Sequence, residues 1–115
     1  MNGNKKESFD LKTHFGAYRN CRFYTSEYES SVGLYIGIEA DGEFGREPAM
    51  DVTVNLGDAV PAGCIAVKNH SENSGLLDEL LRIGLVSGVI YSVPSGFVEI
   101  PVCLYDPDVL DRYHV

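Results

Sequence analysis

Cations are scarce in this 115-residue chain: nine Lys and Arg stand against 17 Asp and Glu, for a net charge of −8. That deficit argues against direct binding of nucleic acid, whose phosphates repel a surface of their own sign. Long hydrophobic runs are missing as well. None approaches the roughly 18 apolar residues of a membrane span, so no membrane partner is expected. Behind Lys5-Lys6 there is no apolar stretch of the kind a secretory signal needs, and a cytoplasmic protein is the expectation. Cysteine is sparse and odd in number, with Cys21, Cys64 and Cys103 far apart in strand-like surroundings. That usage suits buried free thiols in a reducing compartment. Asn69-His70-Ser71 matches a glycosylation sequon, which has no consequence in a chain without an export signal.

Also lacking is any spacing of His, Cys, Asp, Glu, Ser or Gly that carries a specific chemistry. His14, His70 and His114 lie 56 and 44 residues apart with no Cys or carboxylate at ligand spacing. Asp106, Asp108 and Asp111 resemble a calcium loop only superficially, since neither the turn glycine nor the closing Glu is there. Cys64, His70 and Glu72 could make an activated thiolate if folding brought them within hydrogen-bond reach in an electropositive setting. The acidity of the domain opposes that. No catalytic, cofactor or metal residues are therefore assigned, and the chain reads as non-enzymatic.

What is present is an ordinary globular composition, 44% hydrophobic and 23% charged, in a length that suits one domain. Residues 1–8 are polar and read as a flexible N-terminus, leaving 9–115 as a single domain. Charge is unevenly spread along it. Residues 1–25 hold five Lys and Arg against two Asp and Glu, whereas residues 26–115 hold four against fifteen.

Phe9/Leu11 and Tyr18/Cys21/Phe23 suggest one or two strands. Leu34, Ile36 and Ile38 alternate at period two, which puts three apolar side chains on one strand face. Asp41-Gly42 predicts a tight hairpin turn, with a partner strand over residues 50–56 whose Val52, Val54 and Leu56 face inward and whose Thr53 lies on a wet face. Cys64 to Val67 reads as a strand. Leu76, Leu77, Leu80 and Leu81 then form the stripe of an amphipathic helix over 76–83, capped by Asn73 or Ser74 and stopped at Gly84. Residues 86–105 predict a hairpin turning at Pro94-Ser95-Gly96. Pro101 cannot donate to a ladder, which predicts an edge strand or an outward-facing position. Asp106-Pro107 opens a short C-terminal helix. The fold class expected is α+β: a mainly antiparallel sheet of five to six strands, one short amphipathic helix packed on it, and a short C-terminal helix.

The polar loop Asn69 to Asn73, Leu80-Leu81 before Gly84-Leu85, then Gly88, Ser95-Gly96-Phe97, Pro101 and Tyr105 resemble a family of small bacterial proteins of unknown function often encoded on conjugative or other mobile elements. The resemblance covers about residues 63–113. It implies a mobile-element setting and no catalytic residues, because that family has no assigned activity.

Three surfaces invite a functional reading. The stretch Tyr18-Arg19-Asn20-Cys21-Arg22-Phe23-Tyr24 could stack on and neutralise single-stranded nucleic acid, although two arginines make a small footprint and a strand with Arg19 and Tyr24 at a solvent edge accounts for it more simply. The acidic residues Glu27, Glu29, Glu39, Asp41, Glu43, Glu47, Asp51 and Asp58 could imitate the phosphates of a duplex and so inhibit a DNA-binding enzyme. Tyr91, Phe97 and Tyr105, with Leu104, could form a partner-binding patch, since exposed aromatics dominate many interfaces. The leading expectation is a protein-interaction module acting through Glu39, Asp41, Glu43, Glu47, Tyr91, Phe97 and Tyr105, with an unidentified protein as partner. An edge strand could also pair two copies as a homodimer.

Overall fold

A computed structural model describes residues 7–27 and 33–115. The expected flexible segment falls almost wholly outside those residues, as does Glu29. Seven strands and two helices follow one another as β1 (Phe9–Lys12), β2 (Ala17–Glu27), β3 (Leu34–Gly42), β4 (Gly45–Asp51), β5 (Cys64–Ala66), α1 (Leu76–Ile83), β6 (Val86–Ser95), β7 (Val98–Tyr105) and α2 (Pro107–Arg112). The α+β class holds. The strands, however, form a four-stranded sheet ordered β1-β2-β3-β4 and a three-stranded sheet ordered β5-β7-β6, all antiparallel, in place of one sheet of five or six.

The residues after β4 explain the division. Val52 donates its N–H to Ile36 of β3 and accepts from Lys68, while Val54 donates to Ala66 of β5. The chain thus leaves one sheet and enters the next within three residues. Thr53, expected on a wet face, is buried, and its Oγ1 accepts from the Ile36 N–H at 3.1 Å. A threonine serves this crossing because its hydroxyl satisfies a backbone donor that the departing strand leaves behind. Val52 enters the main core, whereas Val54 and Leu56 pack on a second, smaller one.

The main core joins both sheets. Leu11, Phe23, Ile36 and Ile38 meet Ile65, Val67 and Cys103 across it, with Leu76 and Leu80 of α1 and Val109 and Leu110 of α2. Each such aliphatic or aromatic side chain contributes roughly 1.5–3 kcal/mol when fully buried. The smaller core lies on the opposite face of β5 and β7, where Cys64, Ala66, Ile100 and Val102 are covered by Val54, Leu56 and Val60. β7 is consequently central and buried on both faces, and this corrects the expectation for Pro101. Its carbonyl accepts from Val67, and its missing donor falls where β5 has ended and Lys68 has already turned to Val52. β2, similarly, is flanked by β1 and β3 and is not an edge.

α1 spans the expected residues and stops at Gly84, whose φ of 86° suits only glycine well. Its start differs from the expectation. Gly75 occupies the cap position with φ 99° and has no side chain to offer; Asn69 supplies the oxygen from a distance, accepting from the Leu77 N–H at 2.8 Å. Asn73 is instead buried and donates to the Asp51 carbonyl. The helix packs against β1 and β6, and two polar ties fix it to β1: the Lys12 N–H donates to Glu79, and Arg82 donates to the Asp10 carbonyl. α2 starts as the sequence predicts, with the Asp106 carboxylate accepting from the Asp108 N–H. Beyond it, Val115 donates to the Phe23 carbonyl and Phe23 donates to Tyr113, so the chain lies beside β2 past the start of β1.

Candidate functional site

The two hairpins that carry the expected interaction residues differ in how their charges and apolar groups are used. In the β3–β4 hairpin Gly42 pairs with Gly45, so the tip is Glu43-Phe44 and not Asp41-Gly42. Shifting the turn outward lengthens the strands and sets Arg46 opposite Asp41. Arg46 then bonds Glu39 at 3.1 Å and Asp41 at 3.0 Å, and donates to the Asn20 carbonyl. Asn20 closes the group, its amide donating to Asp41. The hydrogen bond from Asn20 and the guanidinium of Arg46 hold the Asp41 carboxyl below the usual carboxylate range. Two of the four expected carboxylates are thus matched by one cation. Glu43 stands exposed at the tip, and Glu47 is exposed with its side chain laid over Gly42.

The β6–β7 hairpin carries one charged side chain, the exposed Glu99 of β7 opposite Pro94, and β6 itself carries none. Ser95 pairs with Val98, which places the tip at Gly96-Phe97, one step beyond the expected turn, with Gly96 at φ 60°. Phe97 is fully exposed. Val89, Ile90 and Tyr91 in β6 are 46%, 50% and 40% exposed, and Leu104 in β7 is 51% exposed. Val89 lies opposite Cys103 and Tyr91 opposite Val102, with Ile90 at the bulge between them, so the exposed apolar side chains of β6 border both faces of the sheet. The Tyr91 hydroxyl donates to the Ala59 carbonyl, which anchors one end of the ring and leaves the rest of it open. β6 lies at the free side of its sheet, and from Val89 to Gly96 every residue except the half-buried Val93 is exposed.

Sequence reasoning named Tyr91, Phe97 and Leu104 for such a patch and did not single out Val89 or Ile90. A signal for this surface was nevertheless present. From Ile83 to Val98 the chain runs 16 residues without an Asp, Glu, Lys or Arg, and no other uncharged run exceeds nine. Phe15 and Phe44, each exposed in a hairpin turn, were also missed, because an aromatic beside a turn glycine gives no periodicity to read.

Tyr105 is separated from the other expected residues. It is half-buried, packs on the main core and lines an open cleft of about 410 Å³ with Glu27, Leu34, Pro61 and Cys64. Glu27 is its one charged wall among the described residues. Cys64 is buried in β5, whereas His70 lies beyond the opposite end of that strand. Glu72 pairs with Lys68 and not with His70. Burial pushes the Cys21 thiol up to about 11 and raises that of Cys103, the reverse of what a nucleophilic thiolate needs.

The basic-aromatic stretch is divided by the strand alternation. Cys21 and Phe23 enter the core, Tyr24 covers Gly37 on β3, and Arg19 remains exposed. No continuous stacking platform results. Among the described residues no three His, Cys, Asp or Glu side chains cluster closely enough to hold a metal ion, and no helix is long and apolar enough to cross a membrane. Asn69 of the sequon acts as the remote cap of α1. Comparisons with protein-family models, with curated proteins and with solved structures find no match to this chain.

Proposed function

We propose that this chain is a non-enzymatic protein-interaction module that engages its partner through the outer side of the β6–β7 hairpin, in the bacterial mobile-element setting that the sequence resemblance implies. The observation that carries the reading is the conjunction of three properties in β6: a free sheet edge, half-exposed Val89, Ile90 and Tyr91, and no charge over the whole strand. Soluble proteins ordinarily protect such an edge with charged side chains. An apolar patch left in place on an acidic surface is what a partner would cover.

The test compares capture from bacterial lysate by the tagged wild-type chain and by Ile90→Lys, with nuclease present and at low and high salt. A protein retained through high salt by the wild type and lost from the variant supports the reading. Saturable turnover of a small molecule by the chain alone, with no partner dependent on Ile90, sinks it. DNA mimicry, the alternative, has less support, because Arg46 is committed to Glu39 and Asp41 and only Glu43 and Glu47 remain open at that tip. Unchanged inhibition of a DNA-binding enzyme after Glu43→Lys and Glu47→Lys would remove it.

A further inference from the structure

Resting on β6 as the interaction surface, we infer that its partner is a second copy of this chain, joined β6 to β6 about a two-fold axis. Charge is the first argument. Two copies that each carry −8 repel wherever their carboxylates face one another, so they can meet only on a surface free of them. A two-fold seam is more demanding still, since the same patch appears on both sides and any charge near the axis meets its own image. A patch shaped for an acidic or basic partner would carry the opposite sign. The strand from Val86 to Ser95 carries neither sign, which is the composition that suits self-pairing.

Backbone geometry is the second argument. Ser92 lies opposite Pro101, and the Pro101 carbonyl points away to Val67 on the far side of β7. In an antiparallel ladder a residue opposite such a position turns both its N–H and its C=O outward. Ser92 therefore offers one donor and one acceptor at the open edge, and two Ser92 residues set antiparallel exchange two hydrogen bonds at the axis. Tyr91, Ile90 and Val89 of each copy follow directly along the strand, so the exposed apolar side chains flank those bonds.

The same strand limits the assembly. Register shifts between Val86 and Val89 and between Val89 and Tyr91, together with Pro94, which has no N–H, keep the straight outward stretch short. The seam is then a short central pairing with apolar packing on either side. Among the other end strands, β4 carries Arg46, Glu47, Pro48 and Asp51, which discourage addition of a third chain, β1 is tied to α1 through Lys12 and Asp10, and β5 is bordered by Val54. Pairing closes at two.

Sedimentation and light scattering of the full chain, from micromolar to submillimolar concentration, test this. The expected result is a monomer–dimer equilibrium whose dimer fraction rises with salt, because screening removes the repulsion between acidic bodies and leaves the uncharged seam intact. Ile90→Lys should abolish the dimer. Ser92→Pro, which removes a donor that makes no bond to β7 and fixes φ at an exposed edge position, should weaken it at least tenfold, and it serves as the test if Ile90→Lys fails to fold. A wild-type chain that stays monomeric at the highest concentration and salt overturns the inference, as does a dimer that dissociates in salt or tolerates both variants. A monomer that still captures another protein in an Ile90-dependent manner leaves the interaction-module reading standing and removes only the second copy.

Discussion

Of the four end strands among the described residues, β1 is tied to α1 through Lys12 and Asp10 and β5 is bordered by Val54; the other two, β4 and β6, are defended in opposite ways. β4 places Arg46, Glu47, Pro48 and Asp51 within seven residues and engages Arg46 with Glu39 and Asp41 of its neighbour. Nothing can add to that edge without displacing ion pairs or meeting a proline. β6 is longer, with ten residues, and lacks charge altogether; its bulges and Pro94 shorten the available ladder without closing it. A chain that has the means to protect one edge and leaves the other apolar has different uses for the two. A charged edge opposes strand addition, and an uncharged one permits it.

That contrast requires both edges to belong to one cooperative body, and the most severe way to break it is through the shared core. Ile65 sits on β5, in the sheet of β6, yet packs in the cluster that also holds Ile36 and Ile38 of the β4 sheet. Ile65→Ala should cost about 2–5 kcal/mol. Urea unfolding followed by hydrogen exchange should show amide protection falling together in β3 and β7. Loss confined to β7 would mean that the two edges sit on separable units.

A second effect belongs to the side of the molecule that carries the charged edge. Desolvation by burial raises the Cys21 thiol from 9.0 to about 11, with the Asp10 carboxylate adding to the rise and Arg46 opposing it. The folded state keeps a proton that the unfolded chain releases. Stability is therefore full below pH 9 and is lost as the pH climbs towards about 11, by at most about 3 kcal/mol. Denaturant midpoints measured across that range should fall for the wild type and stay flatter for Cys21→Val. An unchanged alkaline slope in the variant would assign the effect to another group.

How much of this was legible in the sequence depends on whether a residue's role was local. The strand of Leu34, Ile36 and Ile38, the leucine stripe of α1, its stop at Gly84 and the Asp106-Pro107 start of α2 follow from periodicity or from one residue's backbone chemistry, and the structure has them where the sequence places them. Roles set by a distant partner could not be read. Arg46 and Pro48 look like turn material until Arg46 meets Glu39 and Asp41; Thr53 looks solvated until the crossing to β5 buries it; Asn69 looks like loop until the Leu77 N–H requires an acceptor. Pro101 argued for an edge because a missing donor is usually tolerated only there, and the early end of β5 supplied the exception. For the interaction surface, the uncharged run was visible, but the sequence could not say that β6 lies outside β7.

Arg46→Met sharpens the comparison from the charged side. Exposed ion pairs contribute little, so a cost of under about 1 kcal/mol is expected at neutral pH. The more specific outcome is on the acid side. Asp41 is held low by the Asn20 hydrogen bond and by Arg46, so its stabilisation is present above the ordinary 3.8 and is lost as the pH falls below it. Removing Arg46 should make that acid loss smaller and complete at a higher pH, with Asn20 retaining part of it. An identical acid limb in the variant would show that the arginine is not engaged with Asp41 in solution.

The smallest effect on stability is expected at β6, and its smallness is informative. Ile90 is half exposed and stands at the free side of the sheet, so Ile90→Lys removes little buried area and should change the unfolding free energy by no more than about 0.5 kcal/mol. An isoleucine retained for folding would not behave this way: its replacement by a charge would lower the urea midpoint at concentrations where the chain is monomeric. The measurement is therefore made at low micromolar protein, where mass action contributes nothing, and repeated at high concentration, where an associating wild type gains stability that the variant does not. Equal midpoints when dilute and a gap that opens with concentration would place the value of Ile90 in association. A gap already present in dilute solution would place it in the fold, and β6 would then be an edge that the protein tolerates and does not use.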